Sequence, residues 1–138
     1  MSSIRFTTAI AICVAFAVAL PIGQTADRTI RDQVYSDAQA SRGAATYNTK
    51  CSECHDGGMG PSLTGNEFLG SWDNKTLRTL YSRILSTMPS DDPGSLTETE
   101  VLDLVAYLVR ANRFPSGDKA LERPDELNTI RIVRDNRN

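Results

Sequence analysis

The chain has 138 residues, 23% of them charged, with a formal net charge of −2, which fits one soluble domain plus short appendages. The acidic excess argues against nucleic acid as a partner. One histidine and three cysteines leave no disulfide framework once the two paired cysteines are otherwise used.

Residues 1–26 read as a signal peptide. Arg5 is their single charge, and residues 9–20 form an unbroken apolar run of 12. That suits a signal-peptide core and falls short of the roughly 20 residues that span a bilayer. Pro21 and Gly23 break the run, and small residues up to Ala26 offer a cut site, with Gln24 a poor fit at minus three. Retention as an uncleaved anchor is the alternative. The expectation is export to the periplasm, no membrane span in the mature protein, and loss of Met1 and Cys13 with the signal. Residues 27–36 read as a polar, extended leader.

Residues 37–50 form the first predicted helix, capped by Ser36 or Asp37. Ala40, Ala44, Tyr47 and Cys51 recur at helical spacing and make a narrow apolar face. Gly43 lies on or beside it. A mid-helix glycine costs about 1 kcal/mol against alanine, and close approach by another helix is a physical reason to accept that cost.

Cys51-Ser52-Glu53-Cys54-His55 has the pattern C-x-x-C-H, the signature of covalent haem attachment. Two sulfurs at this spacing can add to the two vinyl groups along one edge of a haem, and the histidine that follows can ligate the iron through Nε2. A zinc site would need more ligands. A dithiol oxidoreductase would want a βαβ setting, and no convincing strand run is present.

Residues 56–70 are glycine-rich and read as loop, letting backbone pass close to a flat ligand. The Pro61 carbonyl is a candidate acceptor for the second ring nitrogen of His55; Gly60-Pro61 as a simple turn is the alternative. Residues 74–85 form the second helix, capped by Asp73 or Asn74, with Leu77, Leu80, Tyr81, Ile84 and Leu85 as its buried stripe. Trp72, just before it, has two open roles: filling core space, or donating its indole N–H to a haem propionate.

With a single histidine, bis-histidine ligation is excluded. Met59 follows His55 too closely to reach the other haem face without rounding its edge at once. Met88 lies in a loop between helices with ample reach, and Pro89 stiffens the chain behind it. Met88 is therefore the expected sixth ligand, since Met/His is a standard haem pair. After a turn at 90–95, Thr97 opens the third helix with a capping-box pattern through Glu100. Val101, Leu104, Val105, Tyr107 and Leu108 form its apolar face, and Asn112 ends it. Phe114 and Pro115 anchor a tail, residues 118–138, with scattered Leu121, Leu127, Ile130 and Val133 and a basic end. The tail either wraps the domain or reaches a partner.

With the motif, the loop methionine and three main helices in place, the chain resembles class I c-type cytochromes. The likeness covers residues 39–117, within a domain at 37–117. Gly43, Tyr47 and Cys51 match that family's first helix. Leu104 to Leu108 match its last, with Tyr107 as the crossing aromatic, and Gly60-Pro61-Ser62-Leu63 match the loop that holds the proximal histidine. Residues 87–94 with 112–117 are similar to a narrower group, cytochrome domains and subunits working beside quinoprotein alcohol dehydrogenases. Asp56 departs from the pattern, since glycine commonly follows the histidine.

The resemblance implies a small all-α fold around one haem c bound through Cys51 and Cys54. The implied role is an electron carrier, not an enzyme, with a dehydrogenase as donor and a cytochrome or oxidase as acceptor. A tightly held dehydrogenase subunit and a haem-based sensor or peroxidase-like protein are the alternatives.

Overall fold

The structure, a computed structural model, describes residues 28–134. The signal-peptide reading of residues 1–26 and the last four residues lie outside them. Two long helices make the frame. Helix α1 (Asp37–Lys50) starts where the Ser36 hydroxyl accepts from the Gln39 amide, and α5 (Glu98–Ala111) starts in the expected capping box between Thr97 and Glu100. Between them come a single turn α2 (Ser52–His55), then α3 (Gly65–Trp72) and α4 (Leu77–Thr87). The architecture is all-α, as expected, with one two-residue strand pair added.

The α1–α5 crossing sets the core. A Cβ on Gly43 would sit 1.9 Å from the Asp103 carbonyl oxygen and 2.8 Å from Tyr107 Cβ, so only glycine lets the helices meet this closely. Tyr47 and Tyr107 pack at 4.8 Å between ring centroids beside that point. Arg42 forks onto the Asp103 carboxylate with two 2.8 Å bonds. Val101, Leu104, Val105 and Leu108 are all buried against this crossing and its neighbours.

Three expectations change. Residues 65–70, the end of the stretch read as loop, belong to α3 (Gly65–Trp72), which buries Phe68 and Leu69; the spacing of Phe68, Leu69 and Trp72 outweighs the surrounding glycines. The second helix starts at Leu77, not Asn74, because Asn74 has φ 61°, a left-handed conformation that no right-handed helix contains. Its cap is Thr76, whose hydroxyl accepts from the Thr79 amide. The third concerns the two flanks. The leader, read as polar, buries Ile30, Val34 and Tyr35.

The tail wraps the domain. Strand β1 (Arg28–Thr29) pairs in parallel with β2 (Ile130–Arg131), in register Arg28 to Ile130 and Thr29 to Arg131. Before β2 runs a 3-10 turn, Pro124–Thr129, with Leu127 fully buried. Leu121, Ile130 and Ile132 are buried as well. Gln39 holds the Leu121 backbone through both amide atoms at 2.8 Å, and Ile132 bonds to Asn74 and Lys75 at the head of α4. Among the described residues no helix is long and apolar enough to cross a membrane.

Candidate haem site

The joint between α1 and α2 positions the motif. Cys51 leaves helical geometry with φ −128° and ψ −38°, so the chain turns there before α2 begins. The amides of Cys54 and His55 both bond back to the Cys51 carbonyl, at 3.2 and 3.0 Å. This winds Cys51 and Cys54 onto one side of a single turn. Cys51 is half-buried and Cys54 exposed. Burial pushes the Cys51 thiol up from its ordinary value, with neighbouring Lys50 opposing.

The glycine-rich segment then closes on the histidine. The amides of Met59 and Gly60 donate to the Cys54 carbonyl at 3.1 and 2.9 Å. A Cβ on Gly60 would lie 3.2 Å from His55 Nδ1 and 3.3 Å from Cε1; glycine lets the backbone pass over the ring edge. His55 Nδ1 is 2.8 Å from the Pro61 carbonyl oxygen. A carbonyl only accepts, so Nδ1 carries the proton and Nε2 is left with the lone pair that a metal needs. The partner expected from the sequence is the one observed.

A cavity of about 470 Å³ is lined by Cys51, Cys54, His55, Pro61, Trp72 and Met88 together. All six sequence-predicted residues border one space, although four separate parts of the fold supply them. Met88 comes from the C-terminal cap of α4 and is half-buried. Leu63, Phe68, Leu80, Ile84, Leu104 and Leu108 supply apolar wall. Trp72 is half-buried and packs on the core, with its ring 6.1 Å from that of Phe68 and Lys75 Nζ 5.0 Å from its centroid. It therefore fills core space and borders the cavity at once.

These features suit a haem c. The cavity is apolar, two thiols at the attachment spacing open onto it, an imidazole is oriented with Nε2 uncommitted, and a thioether lies in the same lining. Among the described residues no cluster of three or more His, Cys, Asp or Glu could hold a bare metal ion.

Three contributors escape sequence reading. Asn112, read as a helix end, is buried and accepts from the Gly65 amide at 2.9 Å. It donates to the Leu63 and Leu108 carbonyls at 3.0 and 2.8 Å. It fastens the loop beyond Pro61 to the end of α5, and an asparagine directly after an apolar helix was the available signal. Arg83 lines the cavity from α4, hidden in the sequence as one more cation on a helix surface. Tyr47 donates to the Asp56 carboxylate at 2.7 Å. Burial first, and that bond next, push its phenol well above its ordinary value, so it stays a neutral donor. Tyr47 and Asp56 were each visible in the sequence; their pairing across the α1–α2 joint was not.

Residues 38–108 match the family model described as cytochrome c oxidase, cbb3-type, subunit III. The match begins inside α1, contains the whole attachment motif and Met88, and ends inside α5. No curated protein and no solved structure gives a significant match. A family match over half the chain agrees with the haem-suited cavity found independently in the fold: the chain belongs to the cytochrome c oxidase, cbb3-type, subunit III family, and is a c-type cytochrome that binds haem c covalently and transfers electrons, not an enzyme in itself.

Proposed function

We propose that this cytochrome is a periplasmic carrier of single electrons between a dehydrogenase and a downstream acceptor. In this reading Cys51 and Cys54 carry the thioether bonds, His55 is the proximal ligand and Met88 the distal one. One observation carries it: the two thiols, the oriented imidazole and the Met88 thioether border the same apolar cavity. The similarity of residues 87–94 and 112–117 to cytochromes beside quinoprotein alcohol dehydrogenases supports a quinoprotein as donor.

Bound haem would supply a one-electron iron couple. The protein's part is to hold that couple at a useful potential and to keep other chemistry out. The Pro61 carbonyl fixes the His55 tautomer and plane. Met88 is half-buried at a helix end, whereas Met59 is 70% exposed, so Met88 is the sulfur that would hold the iron. Thioether ligation favours the reduced state and raises the potential. The apolar walls act in the same direction, because additional charge is costly in a poorly solvated space. With His55 and Met88 both holding the iron, no position would be left open for a small-molecule substrate. The exposed Cys54 and Met59 mark the edge where electrons would cross, through small and transient partner contacts.

Intact-protein mass spectrometry on material captured from the periplasm, with spectra of the reduced protein under carbon monoxide, tests this. The expected result is one covalent haem, a start near residue 27 and no spectral shift with carbon monoxide. Two free thiols and no Soret absorption, after expression with working maturation machinery, would overturn it.

A further inference from the structure

Position 56 is where this chain departs from the cytochrome pattern, and the structure gives the departure a use. Asp56 has φ −94° and ψ −22°, ordinary right-handed geometry, so no glycine is required there. The glycine is required one residue later, where a Cβ would lie 2.1 Å from the Glu53 carbonyl oxygen. Position 56 is thus free to carry a side chain, and the one present reaches back to α1. Its carboxylate accepts from Tyr47 at 2.7 Å. Tyr47 is 5% exposed, packs at a tilt against Tyr107, and lines the haem cavity.

The α1–α2 joint needs such a tie. Helix α2 buries none of its own residues, so packing does not fix its direction. Beyond backbone bonds, two side-chain hydrogen bonds among the described residues cross the break at Cys51: Ser52 Oγ to the Asn48 carbonyl at 2.9 Å, and Tyr47 to Asp56. The second reaches the far end of the turn, directly after His55. It also fixes where a negative charge stands relative to the bound cofactor.

We propose that Tyr47 and Asp56 form a clasp that positions the haem-attachment turn and, by holding a carboxylate beside it, keeps the midpoint potential lower than a neutral residue at 56 would. Both are positioning residues, and the inference rests on the haem reading above. An anion near the iron stabilises the oxidised, more positive state. Asp56 is an exposed residue, and the bond to the buried Tyr47 phenol holds its carboxylate against the turn, where a carboxylate free to swing out into water would be screened more strongly. The hydrogen bond is what makes the charge count.

Potentiometric titration of the holoprotein at low salt tests the clasp, using Asp56→Asn, Tyr47→Phe, Asp56→Glu and the double variant Tyr47→Phe/Asp56→Asn. Asp56→Asn keeps an acceptor for the phenol and removes only the charge, so the potential shifts upward with little change in unfolding midpoint. Tyr47→Phe keeps the charge and removes the tie, so the potential moves in the same direction. The double variant shifts by less than the sum, because both changes remove one coupled effect. Asp56→Glu retains the charge and stays nearer the wild-type potential than Asp56→Asn does. An unchanged potential in Asp56→Asn, or single shifts that add fully, would overturn the clasp. Absence of covalent haem from the wild-type protein would instead overturn the functional reading beneath it.

Discussion

Two adjoining regions of this molecule are held together by different forces. Where α1 crosses α5, a glycine lets backbone touch backbone, tyrosine rings pack at a tilt, and the Asp103 carboxylate, itself nearly buried, is forked by Arg42. Most of α5 is buried. One residue past the end of α1, the attachment turn buries nothing, and the loop after it is exposed up to Met59 at 70%. That loop is held by backbone bonds to the Cys54 carbonyl and by the His55–Pro61 contact. Apolar packing holds the scaffold. The site is arranged by a few polar bonds. The two regions should therefore fail separately.

The largest separation is expected from Met88→Ala. Haem stays attached through the cysteines, the potential falls, and the reduced protein passes from no carbon monoxide binding to complete binding. The unfolding midpoint changes far less, because Met88 is only half-buried and lies at the edge of α4. Potentiometry and carbon monoxide spectra check this; an unchanged potential would move the ligand elsewhere.

The converse damage comes from Gly43→Ala. The added methyl would meet the Asp103 backbone at 1.9 Å, and backbone cannot move aside as a flexible side chain does. Overpacking of this kind costs about 3 kcal/mol, measurable by denaturant unfolding, while folded molecules keep the wild-type axial ligation spectrum. A loss below about 1 kcal/mol would mean the helices can separate, and the crossing is softer than the geometry implies.

Leu127→Ala tests whether the tail belongs to the scaffold. Leu127 is fully buried beneath the 3-10 turn that leads into β2. Truncating it should cost about 2–3 kcal/mol through lost burial and the cavity left behind, with the potential unmoved. Stability equal to wild type would return the tail to the other role its sequence allows, an arm for a partner.

The same division explains what could be read without coordinates. The α1–α5 frame was legible because its signals are local and periodic: a hydroxyl cap, a capping box at Thr97, and apolar residues every three or four positions. The site was legible for a different reason. Cys51, Cys54, His55, Pro61, Trp72 and Met88 are rare residue types in a chemically meaningful order, and all of them border one cavity. What escaped depends on distant partners. The leader looked polar because Ile30, Val34 and Tyr35 are spaced among charges, and only pairing with residues 130–131 shows why they are buried. Helix α3 was hidden by its glycines. The start of α4 was misplaced because Asn74 is both a good cap and one of the few side chains that tolerate φ 61°, and sequence does not say which use wins.

The smallest effect concerns the seam between the two regions. Lys50 ends α1 directly before Cys51, and its ammonium is 3.8 Å from Glu100 in the first turn of α5. The Glu100 carboxylate accepts from the Thr97 amide at 2.8 Å and from its hydroxyl at 3.0 Å. The backbone bond first, then the hydroxyl, hold it below its ordinary value of 4.5. The unfolded chain therefore binds this proton at a higher pH than the folded one. Glu100 stabilises the fold fully above pH 4.5, and that contribution disappears as pH falls through the lower folded value. The group is about one-third exposed, so solvent screening keeps the effect modest. In Glu100→Gln the cap loses its charge but keeps its shape. Thermal midpoints of wild type and variant should differ at neutral pH and converge below pH 4.5, while other carboxylates lower both curves together. The potential should not follow, since this carboxylate braces the scaffold side of the joint. A potential that did track Glu100 would show that the frame and the attachment turn are mechanically coupled through Lys50, and the two regions would no longer count as separate.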